Sequence, residues 1–391
     1  MIVLLSRQGH IPITVKLCEL ETPCLIANRT RVEQNARRMD ALARQRRVRL
    51  RPHMKTAKSA EIGAIALAGR TPRVTIATAD EAWHFLEAGV MDIRWAVALT
   101  RNKHAVCKRL LAAGATLSVI VADAQSAQDL VDSFAGSPDR IDVLIEIDCG
   151  EHRTGVTPEG PGLLDIAGVL GGAPNVNLRG VLTHGGHSYD AADVAQVKDI
   201  AAAERDAVIE SAQRIEASGI ACPERSIGST PTVVHGSDLE GITEIRPGVY
   251  IFGDLFQMQL DACALDDIAV SVLATIISVD RARNRLVIDA GGLALSKDRS
   301  TAASRTDYGY GLVVRADGSA LPGMPMVQVV HQEHGAVEGA GPLLLDELKV
   351  GDQVRVLPNH ACMTAAPYDC YHVVAEGSEV VETRWAKTRG W

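Results

Sequence analysis

From about Thr22 the chain alternates short apolar runs with longer amphipathic ones, the rhythm of successive strand–helix units. Nine runs have strand character: residues 24–28, 47–53, 74–79, 93–99, 116–122, 142–148, 178–184, 225–230 and 244–253. Between most of them apolar side chains recur at helical spacing, over 31–44, 80–88, 103–113, 124–134 and 194–219. Close to eight such repeats in about 240 residues is the size of a (β/α)₈ barrel. The pattern therefore predicts an α/β fold, a TIM barrel across residues 22–261.

After Asp261 the helical spacing stops. Strand-like runs follow at 267–280, 285–292, 323–330, 352–359 and 370–386, with Pro, Gly and Asp clustered between them as turns. A second, mainly β domain is expected over 262–391, joined by residues 1–21, of which 9–17 read as a strand laid against it.

Composition narrows the function. The 391 residues are 47% hydrophobic and 23% charged, enough for two ordinary cores and too apolar for extended disorder. A net charge of -8 leaves no basic stripe to displace counterions from phosphates, which argues against a nucleic-acid partner and for a small-molecule one. The eight cysteines form no C-x-x-C pair and no regular framework, so a reducing cytoplasm is expected rather than a disulfide scaffold. The apolar start of the chain is broken by Ser6 and Arg7, too early for a secretory leader, and no run reaches membrane-spanning length. No membrane partner is expected.

The chemistry concentrates at the ends of the apolar runs. Barrel enzymes carry their reactive groups where strands end, and Arg51-Pro52-His53-Met54-Lys55-Thr56 closes an early strand. A lysine there can project inward and form a Schiff base if its amine is kept partly neutral. Alone, a lysine in such a loop is more often a surface residue. His360 and Cys362 follow the strand-like 352–359, and alternation along an extended chain would turn both to one side, where imidazole and thiolate together suit zinc. A lone pair of this kind is also compatible with a buried cysteine beside a structural histidine. Cys370 and His372 repeat the spacing and read as strand residues. His331, Gln332, Glu333 and His334, with Asp307, Tyr308 and Tyr310, are further loop candidates.

Several segments in one order carry a resemblance: TPCLI from Thr22, RPHMKT from Arg51, EIDCGEHRTG from Glu146, GVLTHGGHSY from Gly180, SIGSTPT from Ser226, EIRPGVYIFGD from Glu244 and LPNHAC from Leu357. Together they resemble the D-serine dehydratase and D-threonine aldolase family, pyridoxal-phosphate (PLP) enzymes of fold type III related to alanine racemase. The likeness runs from about Thr22 to the C-terminus, and the D-threo-3-hydroxyaspartate dehydratase branch is nearest in wording. It implies PLP on Lys55, with Gly228, Ser229, Thr230, Gly248 and Val249 as the phosphate cup. Arg153 would lie near the phenolic oxygen, and Arg246 near the pyridine nitrogen unless it is exposed or salt-bridged. His184 and Tyr189 would pack on or hydrogen-bond the cofactor, or serve the structure alone.

The resemblance also assigns His360 and Cys362 to a divalent metal, zinc first, with manganese or magnesium as alternatives. Aldolases of the family commonly carry aspartate at the second position, so Cys362 favours dehydration of D-serine, D-threonine or D-threo-3-hydroxyaspartate to a 2-oxo acid and ammonia. Cleavage to glycine and an aldehyde is the alternative. Racemisation lacks an identifiable second base, and a non-catalytic PLP carrier would not need the β domain. A homodimer is implied by analogy.

Overall fold

The computed structural model describes residues 15–391, so the readings of residues 9–14 as strand and of the first residues as too short for a leader lie outside it. Eight parallel strands follow one another round a single sheet: Arg49–Leu50, Arg73–Ile76, Asp92–Ala98, Thr116–Val121, Ile141–Ile147, Val176–Thr183, Glu224–Ile227 and Glu244–Ile245. The last pairs with the first, Glu244 beside Arg49. Past the first strand a bridge between His53 and Thr75 reaches the second. There the Thr75 N–H donates to the Pro52 carbonyl at 2.9 Å and the Met54 N–H to the Thr75 carbonyl at 2.8 Å. The ring is closed, as a barrel. Its strands are rich in Val, Ile and Leu because helices cover one face and packed side chains fill the other.

Helices Arg29–Gln45, Ala79–Glu87, His104–Ala112, Ala124–Phe134 and Val194–Ala217 lie where apolar spacing put them. Asn28, Thr78, Asp123 and Asp193 cap four of these, each side chain accepting the backbone N–H three residues on. A cap of this kind contributes about 1 kcal/mol and fixes where the chain turns from strand to helix. Two helices not foreseen, Ala60–Ala66 and Pro161–Gly171, complete the outer layer.

One strand candidate changes place. Cys24–Asn28 opens the βα rhythm but belongs to the second sheet, antiparallel to Val270–Asp280 and parallel to Cys370–Val374. All five of its residues are buried, and a run buried on both faces looks the same whichever neighbours it has. Val270–Asp280 is the spine of this ten-stranded mixed sheet, pairing also with Arg285–Ile288 and Gln353–Leu357. Val15–Lys16 pairs with Val380 and Val381 at its edge.

Deep in the barrel, below the strand ends, lies a buried charge network. Arg94 donates to Ser118 Oγ at 3.0 Å, to Glu224 Oε2 at 2.6 Å and to Glu244 Oε1. Arg51 joins Glu244 at 2.9 Å and Asp92 at 2.6 Å. Burial alone would raise the Glu244 carboxyl, but Arg94 and Arg51 outweigh it and hold the group well below the usual carboxylate range. No helix of the described residues is long and apolar enough to cross a membrane.

Candidate active site

The strand ends open on a cavity of about 360 Å³. Lys55, Arg153, His184, Tyr189, Ser229, Thr230, Arg246, Gly248, Val249, His360 and Cys362 all line it. Lys55 reaches it because the preceding residues are stapled across the barrel seam. Besides the bonds to Thr75, the His53 N–H donates to the Pro247 carbonyl at 2.9 Å, which ties the first strand end to the eighth. Met54 is buried beneath, and Lys55 itself remains exposed at the open mouth.

Opposite stands a cradle of loop and helix starts. Ser229 caps the short helix Thr230–His235, and Gly248 precedes the turn Val249–Ile251. A Cβ on Gly228 would stand 2.8 Å from the Arg246 nitrogen, and one on Gly248 2.8 Å from the His53 carbonyl oxygen, so only glycine lets these backbones close in. First-turn N–H groups lack partners inside their own helix and suit an anion. The Thr230 hydroxyl accepts from the Tyr250 N–H at 3.2 Å and keeps its own proton to donate.

Arg246 is buried and, among the described residues, has no direct ion pair. It donates to Ser226 Oγ at 2.6 Å and to the Thr183 carbonyl at 2.5 Å, above the Arg94–Glu244 network. Burial lowers it to about 10, so it remains a cation near neutrality. Arg153 is more loosely held, half exposed and donating to Glu151 Oε1 at 3.2 Å. His184 gives Nδ1–H to the Gly228 carbonyl, and burial, then Lys55, depress it to about 3, leaving a neutral ring. Tyr189 stacks on Phe256 with centroids 5.8 Å apart.

His360 and Cys362 meet the cavity by a different route from the alternation argument. His360 is the N-cap of the helix Ala361–Ala365, so Cys362 sits in a helical first turn and not two places along a strand. The segment is docked onto the barrel's own chain: Leu255 and Phe256 N–H groups donate to the Pro358 and Asn359 carbonyls at 3.1 Å, and Asp254 accepts from the Ala361 N–H at 2.9 Å. His360 Nδ1 bonds Asp298 Oδ2 at 2.8 Å, and Cys362 Sγ lies 3.1 Å from Thr56 Oγ1. Burial would raise the Cys362 thiol, yet His360 and Lys55 pull it below its ordinary value toward thiolate.

The residues present suit two groups. An amine, a cradle that a Cβ would fill and a buried guanidinium in one cavity suit a phosphorylated aldehyde. An imidazole whose Nδ1 is held by a carboxylate, beside a thiol that it acidifies, suits a divalent cation, which would take the place of the proton the two share. Among the described residues no third His, Cys, Asp or Glu completes a metal cage, so the remaining positions would be open. The cavity also contains residues the sequence reading passed over, notably His53, Thr56, Glu146, Glu151, Phe256, Gln257, Asp298 and Ser300. His53, Thr56, Glu146 and Glu151 lie inside the segments that carry the resemblance, a signal that was there to use, whereas Phe256, Gln257, Asp298 and Ser300 lie outside them.

The loop candidates do not join them. Asp307 pairs with Arg299, which covers the Tyr310 ring at 5.1 Å, and Tyr308 is buried in an apolar cluster. His331, Gln332, Glu333 and His334 are exposed and outside the cavity lining, and Cys370 and His372 lie in a strand.

Comparison with known proteins gives the family. Residues 27–255 match the model of the alanine racemase N-terminal domain, and residues 269–374 that of the serine dehydratase domain. D-threo-3-hydroxyaspartate dehydratase of Delftia sp. (strain HT23) is 35% identical over 96% of this chain and 99% of its own. D-serine dehydratase of Dictyostelium discoideum is 29% identical over 93% and 96%. The solved structure of the Delftia enzyme superposes with a TM-score of 0.92 at 36% identity, covering 96% of this chain and all (100%) of that one. The chain belongs to the alanine racemase-like family of fold-type III PLP enzymes that contains the D-serine dehydratases and D-threonine aldolases.

Proposed function

We propose that this protein is a PLP- and divalent-metal-dependent dehydratase of D-3-hydroxyamino acids, taking D-serine, D-threonine or D-threo-3-hydroxyaspartate to a 2-oxo acid and ammonia. The observation that carries the reading is that Lys55 and the His360–Cys362 pair of one chain line the same cavity. When bound, PLP supplies an electron sink at the substrate Cα, and the metal, zinc by the donor set, supplies a Lewis acid for the departing hydroxyl.

The residues divide the remaining work. Lys55 Nζ would hold the cofactor aldehyde and is the amine placed to take the substrate's Cα proton. Thr230, Gly248 and Val249 would hold the phosphate through N–H and O–H donors, with Ser229 as the cap of the helix Thr230–His235 and Gly228, whose own N–H goes to Glu204, allowing the close backbone approach behind them. Arg153 would balance negative charge near the phenolic oxygen, and buried Arg246 would stand toward the pyridine ring. His184 and Tyr189 would confine the ring. His360 would offer Nε2 and Cys362 its Sγ to the metal, while Asp298 accepts the hydrogen bond from Nδ1–H and so would fix the tautomer. A homodimer is part of this reading by analogy with relatives of the fold, and a second copy would cover Met363, exposed next to Cys362.

The test combines spectrum and product. The wild type should bind PLP with a visible band that Lys55→Ala abolishes, and should release a 2-oxo acid from D- but not L-isomers, with the rate falling on chelation and returning with zinc. Glycine and an aldehyde as products would make it an aldolase. Turnover indifferent to chelation would remove the metal from the reading.

A further inference from the structure

We infer that Glu204 is a positioning residue that sets the phosphate cup from behind, an inference that rests on the cofactor reading above. The strand Val176–Thr183 pairs with Glu224–Ile227 only as far as Leu182 beside Ser226. Beyond that point the two chains enter separate loops, one carrying His184 and the other Ser229 and Thr230. A single side chain takes over where the ladder stops. Glu204, fully buried on the helix Val194–Ala217, accepts the Gly185 N–H at 2.7 Å and the Gly228 N–H at 3.0 Å, both on Oε1.

The fit is close: a Cβ on Gly185 would stand 3.2 Å from the Glu204 carboxyl carbon. The other ties, His184 Nδ1 to the Gly228 carbonyl and Ser188 Oγ to Ser229 Oγ at 2.9 Å, join these loops only to each other. Glu204 anchors them to a helix of the outer layer. Its second oxygen has no hydrogen-bond partner among the described residues, so one acceptor oxygen does the positioning. That makes reach, and not charge, the property that matters. Glutamine keeps an acceptor at the same distance from the backbone, whereas aspartate keeps the charge and is one methylene short of spanning both N–H groups.

The test compares two aldehydes that both condense with Lys55 but differ in the phosphate. Wild type, Glu204→Asp and Glu204→Gln, each freed of cofactor, are titrated with pyridoxal phosphate and with pyridoxal while the visible band is followed. Thermal midpoints report folding. Glu204→Asp should lose about tenfold of the preference for the phosphorylated aldehyde, the scale of one hydrogen bond to a charged group, with pyridoxal affinity little changed. Glu204→Gln should keep the preference. Equal weakening toward both aldehydes, an unchanged preference in Glu204→Asp, or its loss in Glu204→Gln would overturn the inference and leave the cofactor reading standing. A wild-type chain that takes up neither aldehyde overturns both.

Discussion

Asp298 shows how a residue away from every sequence motif can govern one inside it. A histidine that binds a cation through Nε2 needs its Nδ1 proton held, and here Asp298 Oδ2 holds it at 2.8 Å. The carboxylate is itself fixed, accepting the Ser300 N–H at 2.9 Å, and the His360 hydrogen bond, more than any other influence, keeps it below its usual range. Asp298→Asn should weaken zinc binding by about 10- to 100-fold, the usual cost of removing such a partner, with folding little affected. Competition with a chromophoric chelator measures it, and an affinity within twofold of wild type would show that His360 needs no such partner. Little in the sequence pointed to Asp298, because its contact with His360 spans 62 residues. Glu204 was more accessible. It falls on the buried stripe of its helix with Val197, Ile200, Ala201, Val208 and Ala212, and a charged residue on such a stripe needs polar partners.

At the scale of elements, the barrel stands on strands of which some are only two residues long, and buried charges reinforce them. Glu244 opens the eighth strand and joins Arg94 of the third to Arg51 after the first. Removing it by Glu244→Ala would leave those guanidinium groups short of a partner in the interior, a loss of about 3–5 kcal/mol by urea unfolding. The pH dependence has a definite sign. The folded carboxyl lies below its unfolded value of about 4.3, so its stabilisation is complete above that pH and is lost as pH falls through the folded value. Stability should therefore fall more steeply with acid in the wild type than in Glu244→Ala, and parallel acid limbs would contradict the network's role. Periodicity revealed most of these elements because helix and strand repeats differ. It could not say which sheet Cys24–Asn28 would enter, since burial on both faces is common to a barrel strand and to a strand inside a mixed sheet. It also missed Ala60–Ala66 and Pro161–Gly171, short and apolar segments with little polar face to mark a helical period.

For the whole molecule the question is whether one chain or two make a site. In this structure the β domain's Cys362 lies 3.1 Å from Thr56, the residue next to Lys55 in the same chain. The docking of Pro358 and Asn359 on Leu255 and Phe256, and of Ala361 on Asp254, holds that arrangement within the chain. A homodimer would then contain two complete sites, each with its own amine and its own metal pair, and the second copy would cover and confine rather than complete them. Mixed dimers decide this. Chains bearing Lys55→Ala and chains bearing Cys362→Ala, each inactive alone, are unfolded and refolded together so that subunits exchange. If both groups come from one chain, every site in the mixture still lacks one of them, and D-serine turnover should stay at background. Were the site shared, half of the dimers formed from equal inputs would be mixed, each with one intact site, and about a quarter of wild-type activity would return.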